Sequence, residues 1–300
     1  MMNCKNFKNS FYWFFIRFLF LLELCCGQIK VGDWNSLTSY LQIRDVEFIE
    51  NTIYAATEGG ILYINENDYS TITNINGLIG VDLSSIEKDN NNNLWIGGNS
   101  PFGFLQSYDP LKEESLSSFD FQLTSIQDIQ VIDSITWVLF QDGQDNGLMK
   151  FILDEHWEYR DAYRNYPEEV TNINCFLALD SMIFIGTNDG VKILNEEKAF
   201  VEKVKSYNES NFFYINGDDY ISIYNNTIEM GDIHPDKKSF FKKEYSYDFS
   251  NNNFEISNGI VYMAEEEFLL FDIENRKLLT SNHLNQFLKG KKIDNLKIIE

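Results

Sequence analysis

From residue 44 onward, apolar and polar residues alternate in short runs, and the runs come in pairs. Val46 to Ala56 reads as an alternating strand, a polar turn at Glu50-Asn51, and a second alternating strand. The arrangement recurs at Leu83 to Gly98, Ile129 to Leu139, Cys175 to Gly186, Phe213 to Tyr224 and Phe254 to Ala264. A period of two sends successive side chains to opposite faces of a strand, so each pair predicts a hairpin. The second strands centre on Tyr54, Trp95, Trp137, Phe184, Ile221 and Tyr262, at spacings of 41, 42, 47, 37 and 41 residues. Recurrence near 40 residues, with several short strands per unit, is the signature of propeller blades.

A third strand follows at Gly60–Ile64, Gly103–Tyr108, Leu148–Ile152, Gly190–Leu194 and Phe268–Asp272, often behind a glycine turn such as Glu58-Gly59-Gly60 or Asn188-Asp189-Gly190. Positive φ is cheap at such turns. A polar and aromatic fourth strand is predicted at Ser70–Asn74, His156–Arg160, Phe240–Tyr245 and Lys277–Ser281. The expected fold is all-β: a propeller of four-stranded blades at about 44–78, 83–122, 126–162, 172–207, 211–247 and 253–284. No helix of consequence is expected. The run Asn90 to Asn93 reads as a hairpin tip, because Asn tolerates left-handed backbone. Trp95 then plugs the space between blades, and Gly97-Gly98 give the strand end room at a crowded centre or a bulge.

The two ends of the chain suggest closure. Residues 33–40 look like an outer strand with no partners before it, and residues 294–300 repeat Arg44 to Glu50 nearly position by position. The expectation is six blades plus the start of another, in a truncated chain whose cut edges would be prone to association.

Composition narrows the function classes. The chain has 46 acidic against 24 basic residues, a net charge of −22. Residues 1–27 hold three of the cations (Lys5, Lys8, Arg17) and one acid (Glu23), so the rest carries 21 − 45 = −24. Such a surface repels phosphate backbones and anionic lipid, so no nucleic-acid partner is expected. Lys5 and Lys8, the apolar run from Phe11, and the small residues before Gln28 form a secretory signal over 1–27. The run of 16 residues from Phe11 to Cys26 contains Arg17 and Glu23 and falls short of a span, so no stable membrane insertion of the mature chain is expected. Cys4, Cys25 and Cys26 lie in this leader; only Cys175 lies in the body, so no disulfide within it is possible.

No catalytic, cofactor-binding or metal-binding residues are assigned. His156, His234 and His283 share no motif with one another, and there is no Gly-x-Ser-x-Gly or phosphate loop. Asp142 to Gly147 has the oxygen ligands and glycines of a calcium loop but lacks its downstream glutamate, and reads as a hairpin turn with a weak calcium site as the alternative. Glu265 to Glu267 reads as a charged turn. Carboxylates meeting in a central funnel could act on glycosides or uronates, but sequence spacing does not select a pair.

Gly77-Leu78, Leu83 to Asp89 and Asn93-Leu94-Trp95-Ile96-Gly97 together resemble the two-component-regulator propeller repeat, as do Ile183 to Val191 and Tyr54 to Ile61. Gln28 to Trp34 resembles the start of PorZ-like proteins of Bacteroidetes-type bacteria. The blades near 211–244 and 253–281 lack the Trp-Ile-Gly signature. The resemblance implies a secreted, non-enzymatic binding or scaffold module of the periplasm or cell surface, a component of type IX secretion that binds a protein or a cell-surface polysaccharide. It equally admits the periplasmic sensing propeller of a hybrid two-component histidine kinase. The expected binding face carries the loops joining blades and the turns between second and third strands. Asn99 to Phe102 and Asp142 to Asn146 are its candidate contacts, with Trp95 structural.

Overall fold

The computed structural model describes residues 38–65, 68–164, 173–179, 182–188, 190–195, 200–203, 212–216, 219–224, 227–232, 241–246, 253–257, 259–264, 268–275, 277–280 and 285–286. The chain divides into two compact units, Met1–Leu37 and Thr38–Glu300, and every described residue belongs to the second. The leader, residues 33–37, His234, His283, Glu265 to Glu267 and the partial blade at 294–300 lie outside the described residues.

Six antiparallel sheets of four strands follow one another along the chain. The first holds β1 (Ile43–Ile49), β2 (Thr52–Thr57), β3 (Gly60–Asn65) and β4 (Asp68–Ile72). The second holds β5 (Leu83–Lys88), β6 (Leu94–Gly98), β7 (Gly103–Asp109) and β8 (Glu114–Leu123). The third holds β9 (Ser125–Ile132), β10 (Ile135–Asp142), β11 (Asp145–Leu153) and β12 (Trp157–Tyr163). The fourth holds β13 (Ile173–Leu179), β14 (Met182–Thr187), β15 (Gly190–Asn195) and β16 (Phe200–Lys203). The fifth holds β17 (Phe212–Asn216), β18 (Asp219–Tyr224), β19 (Thr227–Asp232) and β20 (Phe241–Ser246). The sixth holds β21 (Asn253–Ser257), β22 (Ile260–Ala264), β23 (Phe268–Asp272) and β24 (Lys277–Thr280).

Strands pair in chain order within each sheet, and first strands of neighbouring blades lie side by side: β1 on β5, β5 on β9, and β13 on both β9 and β17. That arrangement is a β-propeller, with the first strand of each blade innermost. The described part of the 33–40 stretch, Thr38 to Tyr40, is not strand. It packs instead on the β2–β3 turn. Thr38 Oγ1 donates to the Gly59 carbonyl at 2.7 Å.

The apolar faces meet between blades rather than within them. Tyr54, Ile61 and Ile72 of the first blade cluster with Leu83, Leu94 and Tyr108 of the second. Trp95 and Leu105 of the second cluster with Val138, Phe140, Phe151 and Trp157 of the third. Trp137 and Leu148 join Phe176 and Ile185 of the fourth, Phe184 joins Phe213 and Tyr220 of the fifth, and Ile221 joins Val261 and Phe271 of the sixth. Trp95 is fully buried, edge-on to Trp157 with ring centroids 4.8 Å apart. Burying a side chain of this size stabilises by about 2–3 kcal/mol.

Gly97 and Gly98 meet the expectation of crowding and of a bulge together. A Cβ on Gly97 would lie 2.5 Å from Ile126 Cγ2, and one on Gly98 would lie 2.2 Å from the Phe104 ring. The register of β5 against β6 also slips opposite this pair, between Leu83 and Ser85.

The loop entering the second blade is held by β7. Buried Gln106 accepts from the Ile79 N–H at 3.0 Å and donates to the Gly77 carbonyl at 2.8 Å. Tyr108, fully buried, donates its hydroxyl to the Asn76 carbonyl at 3.0 Å. Burial first, then the nearby charges of Glu113 and Asp109, push its phenol up to about 12.

Candidate ligand-binding site

The first strands of blades one to four share a defect. Each skips one residue in its pairing with the second strand: Arg44, Ser84, Gln127 and Asn174. A bulge turns the extra side chain away from the regular pleat. The corresponding strands of blades five and six pair without a slip.

In blades two to four the bulges open onto one cavity of about 640 Å³. Ser84, Gln127 and Asn174 line it, together with Asn99, Ser125, Asp128 and Cys175, over an apolar floor of Ile126, Leu139 and Ile173. It lies where the second strands end and the first strands begin, on the face carrying the blade-joining loops. Few convergent polar groups above apolar side chains are what a small-ligand site needs.

The polar groups are anchored. Ser84 Oγ donates to the Ile126 carbonyl at 2.5 Å, tying the second blade to the third. Asn174 Nδ2 donates to Asn188 Oδ1 at 3.0 Å, and Gln127 Nε2 to Gln141 Oε1 at 3.4 Å. Asp128 Oδ1 accepts from the Ile129 N–H at 2.9 Å. Arg44, the bulge residue of the first blade, turns to Asp82 and the Leu83 carbonyl instead.

The residues singled out from sequence fall on both sides of this boundary. Asn99 lines the cavity, and its N–H donates to the Asp82 carbonyl at 2.9 Å. Phe102, on the same loop, is exposed. Asp142 to Asn146 lies beside the cavity rather than on it. Asp142 and Asp145 pair across a two-residue turn whose first position, Gly143, has φ 64°. The Asp142 carboxylate is taken by Arg164 at 2.5 Å, and Asn146 Nδ2 donates to the Ile173 carbonyl at 3.2 Å. His156 is exposed beside β12. Among the described residues no three His, Cys, Asp or Glu side chains are placed to hold a metal ion, and no helix is long and apolar enough to cross a membrane.

Ser84, Gln127, Asp128 and Asn174 were not anticipated, although the sequence marks them. Each bulge is an apolar residue, two polar or small ones, then another apolar residue: Ile43-Arg44-Asp45-Val46, Leu83-Ser84-Ser85-Ile86, Ile126-Gln127-Asp128-Ile129 and Ile173-Asn174-Cys175-Phe176. Apolar spacing of three instead of two is the trace of one extra residue.

No protein-family model matches the chain, and no curated protein does. Solved structures do. The WD40 β-propeller domain of Doa1 superposes with TM-score 0.63 at 11% identity, over 87% of this chain and 88% of that one. The CNH domain of AfRom2 gives 0.58 at 11% identity, over 81% and 86%. The extracellular domain assigned to the hybrid two component system BT4673 from B. thetaiotaomicron gives 0.61 at 12% identity, over 89% of this chain. This chain spans 38% of that longer one. The shared property is the fold.

Proposed function

We propose that this chain is an exported, non-catalytic binding propeller of the bacterial envelope, a PorZ-like component of type IX secretion. The observation that carries the binding role is the polar cavity built by three successive bulges. Its lining fits recognition better than chemistry: among the described residues that line it, Asp128 is the one carboxylic acid and none is a histidine. The leader over 1–27 and the start at Gln28 to Trp34 support export and the PorZ-like placement. A second reading, the sensing propeller of a hybrid two-component kinase, is favoured by the likeness to the extracellular domain of BT4673.

Incubating the full chain with envelope polysaccharides and envelope proteins tests the binding role. Saturable binding without bond cleavage is expected. Turnover that disappears in Asp128→Asn would make the cavity catalytic and end this reading. Gene deletion separates the placements: type IX cargo retained in the periplasm supports secretion. Normal cargo export with a lost transcriptional response to an extracellular ligand supports the sensor.

A further inference from the structure

We infer that the outer edge of β8 takes a cationic peptide in extended conformation, as a fifth strand on the second blade. This edge shares no residue with the cavity, so the inference stands or falls apart from the role proposed above. An edge strand presents a row of N–H and C=O groups that another backbone can match. Natural edges are blunted by shortness and by cations. β12, β16, β20 and β24 run four to seven residues, and each carries a lysine or arginine. β4 carries none but has five residues. β8 has ten residues with no lysine, arginine or proline, and Glu114, Ser115, Leu116, Ser118, Asp120 and Gln122 are exposed. Among the described residues it pairs with β7 alone. Its register slips near each end and is regular from Ser117 to Asp120, opposite Ser107 to Phe104.

The two faces of this edge dictate the pattern of the partner. Toward the third blade, Phe119 and Phe121 are half-buried and stack with ring centroids 6.4 Å apart. Tyr159 of β12 is 42% exposed and lies 5.3 Å from the Phe121 ring and 5.8 Å from that of Phe151. These rings form an apolar shelf beside the edge. On the opposite face Ser118 and Asp120 are exposed, and Asp120 pairs with Phe104, which joins the cluster shared with the first blade. An added strand alternates its side chains between the two faces, so apolar residues lie over the rings and the residues between them pass Ser118 and Asp120. Charge selects what those residues are. Lys112, just before β8, is paired with Asp109 at 2.7 Å, and no lysine or arginine follows it before Lys150, while seven acids do. Lysine or arginine at the alternate positions complements this edge. A second copy of the chain would bring the same acidic edge, and the net charge of −22 opposes it.

The test uses the full chain and short capped peptides that alternate valine with lysine. Fluorescence anisotropy of a labelled peptide reads affinity, and hydrogen exchange of the amides from Glu114 to Leu123 reads the place. Saturable binding that slows exchange in β8 is expected. Exchanging the lysines of the peptide for glutamate is expected to abolish binding. Methylating the peptide nitrogens along one backbone edge is expected to weaken it by about tenfold or more. Asp120 Oδ1 accepts from the Gln122 N–H at 2.9 Å, a bond that Asp120→Asn keeps while removing the charge. Binding about two- to fivefold weaker is expected in that variant, and weaker again in Ser118→Lys, which sets a cation on the same exposed face. Equal affinity for the methylated peptide overturns the inference, because the edge is then not read. Slowed exchange elsewhere but not in β8, or no binding of the valine–lysine peptide, overturns it as well. So does a dimer in sedimentation whose formation protects β8 without any peptide, which assigns the edge to a second copy.

Discussion

Asp89 holds Asn93 at three points. Its N–H donates to the Asn93 carbonyl at 2.8 Å, its Oδ1 accepts from the Asn93 N–H at 2.9 Å, and its Oδ2 accepts from Asn93 Nδ2 at 3.1 Å. The same Oδ1 accepts from the Asn91 N–H at 2.8 Å. One carboxylate thus organises the β5–β6 turn, and Asn92 supplies its left-handed residue at φ 62°. Asp89→Ala is expected to cost about 1–3 kcal/mol in urea unfolding. Asn90→Ala and Asn91→Ala are expected to stay within about 0.5 kcal/mol, since both side chains are exposed and the turn is held through Asp89.

Trp95 should behave as a packing residue alone. Its indole N–H has no hydrogen-bond partner among the described residues. Trp95→Ala is expected to cost about 3–5 kcal/mol, and Trp95→Phe clearly less, because the smaller ring still fills part of the space among Phe119, Phe151 and Trp157. Denaturant midpoints of the two variants check this.

Gly98 and Gly143 separate two reasons for a glycine. A Cβ on Gly98 meets the Phe104 ring, so Gly98→Ala is expected to cost about 1–3 kcal/mol and to recover in part when Phe104→Leu is added. A Cβ on Gly143 meets nothing within 4 Å, so Gly143→Ala carries only the cost of positive φ, about 1–2 kcal/mol, and Phe104→Leu does not relieve it. Urea midpoints of the single and double variants check both.

Tyr108 sets an alkaline limit. Its folded-state pKa is raised to about 12 from 10.0, so folding favours the neutral phenol. That contribution is complete below pH 10 and is lost as pH rises toward 12. Unfolding measured near pH 9 and near pH 11.5 should show falling stability, and Tyr108→Phe should flatten the fall. The variant should be weaker near pH 9, because the bond to the Asn76 carbonyl is gone, and the gap should close or reverse near pH 11.5, where only the wild type has lost the contribution of its neutral phenol.

The blade repeat was legible because each second strand must bury one large residue against its neighbour, and that demand imprints Tyr54, Trp95, Trp137 and Phe184 on the sequence at near-regular intervals. Asn99 was legible on the face that carries the blade-joining loops for the same topological reason, and there it lines the cavity. The cavity was not, because its residues come from three blades and are small and neutral for the most part. Single hairpins show neither fact. Gln106 was also silent: a lone buried amide in an apolar strand declares its role only when the Gly77 loop is seen folded against it.

Because each apolar cluster among the described residues draws from two adjacent blades, the ribosome releases a sheet before the surface that will shelter it. Tyr54 and Ile61 must wait, wet, for Leu94 and Tyr108 to be synthesised. No blade of this wheel hides its own oil, and each newly made one shelters only the blade before it. A polypeptide ended after β12 would leave Trp137 and Leu148 greasy and bare on its last flank.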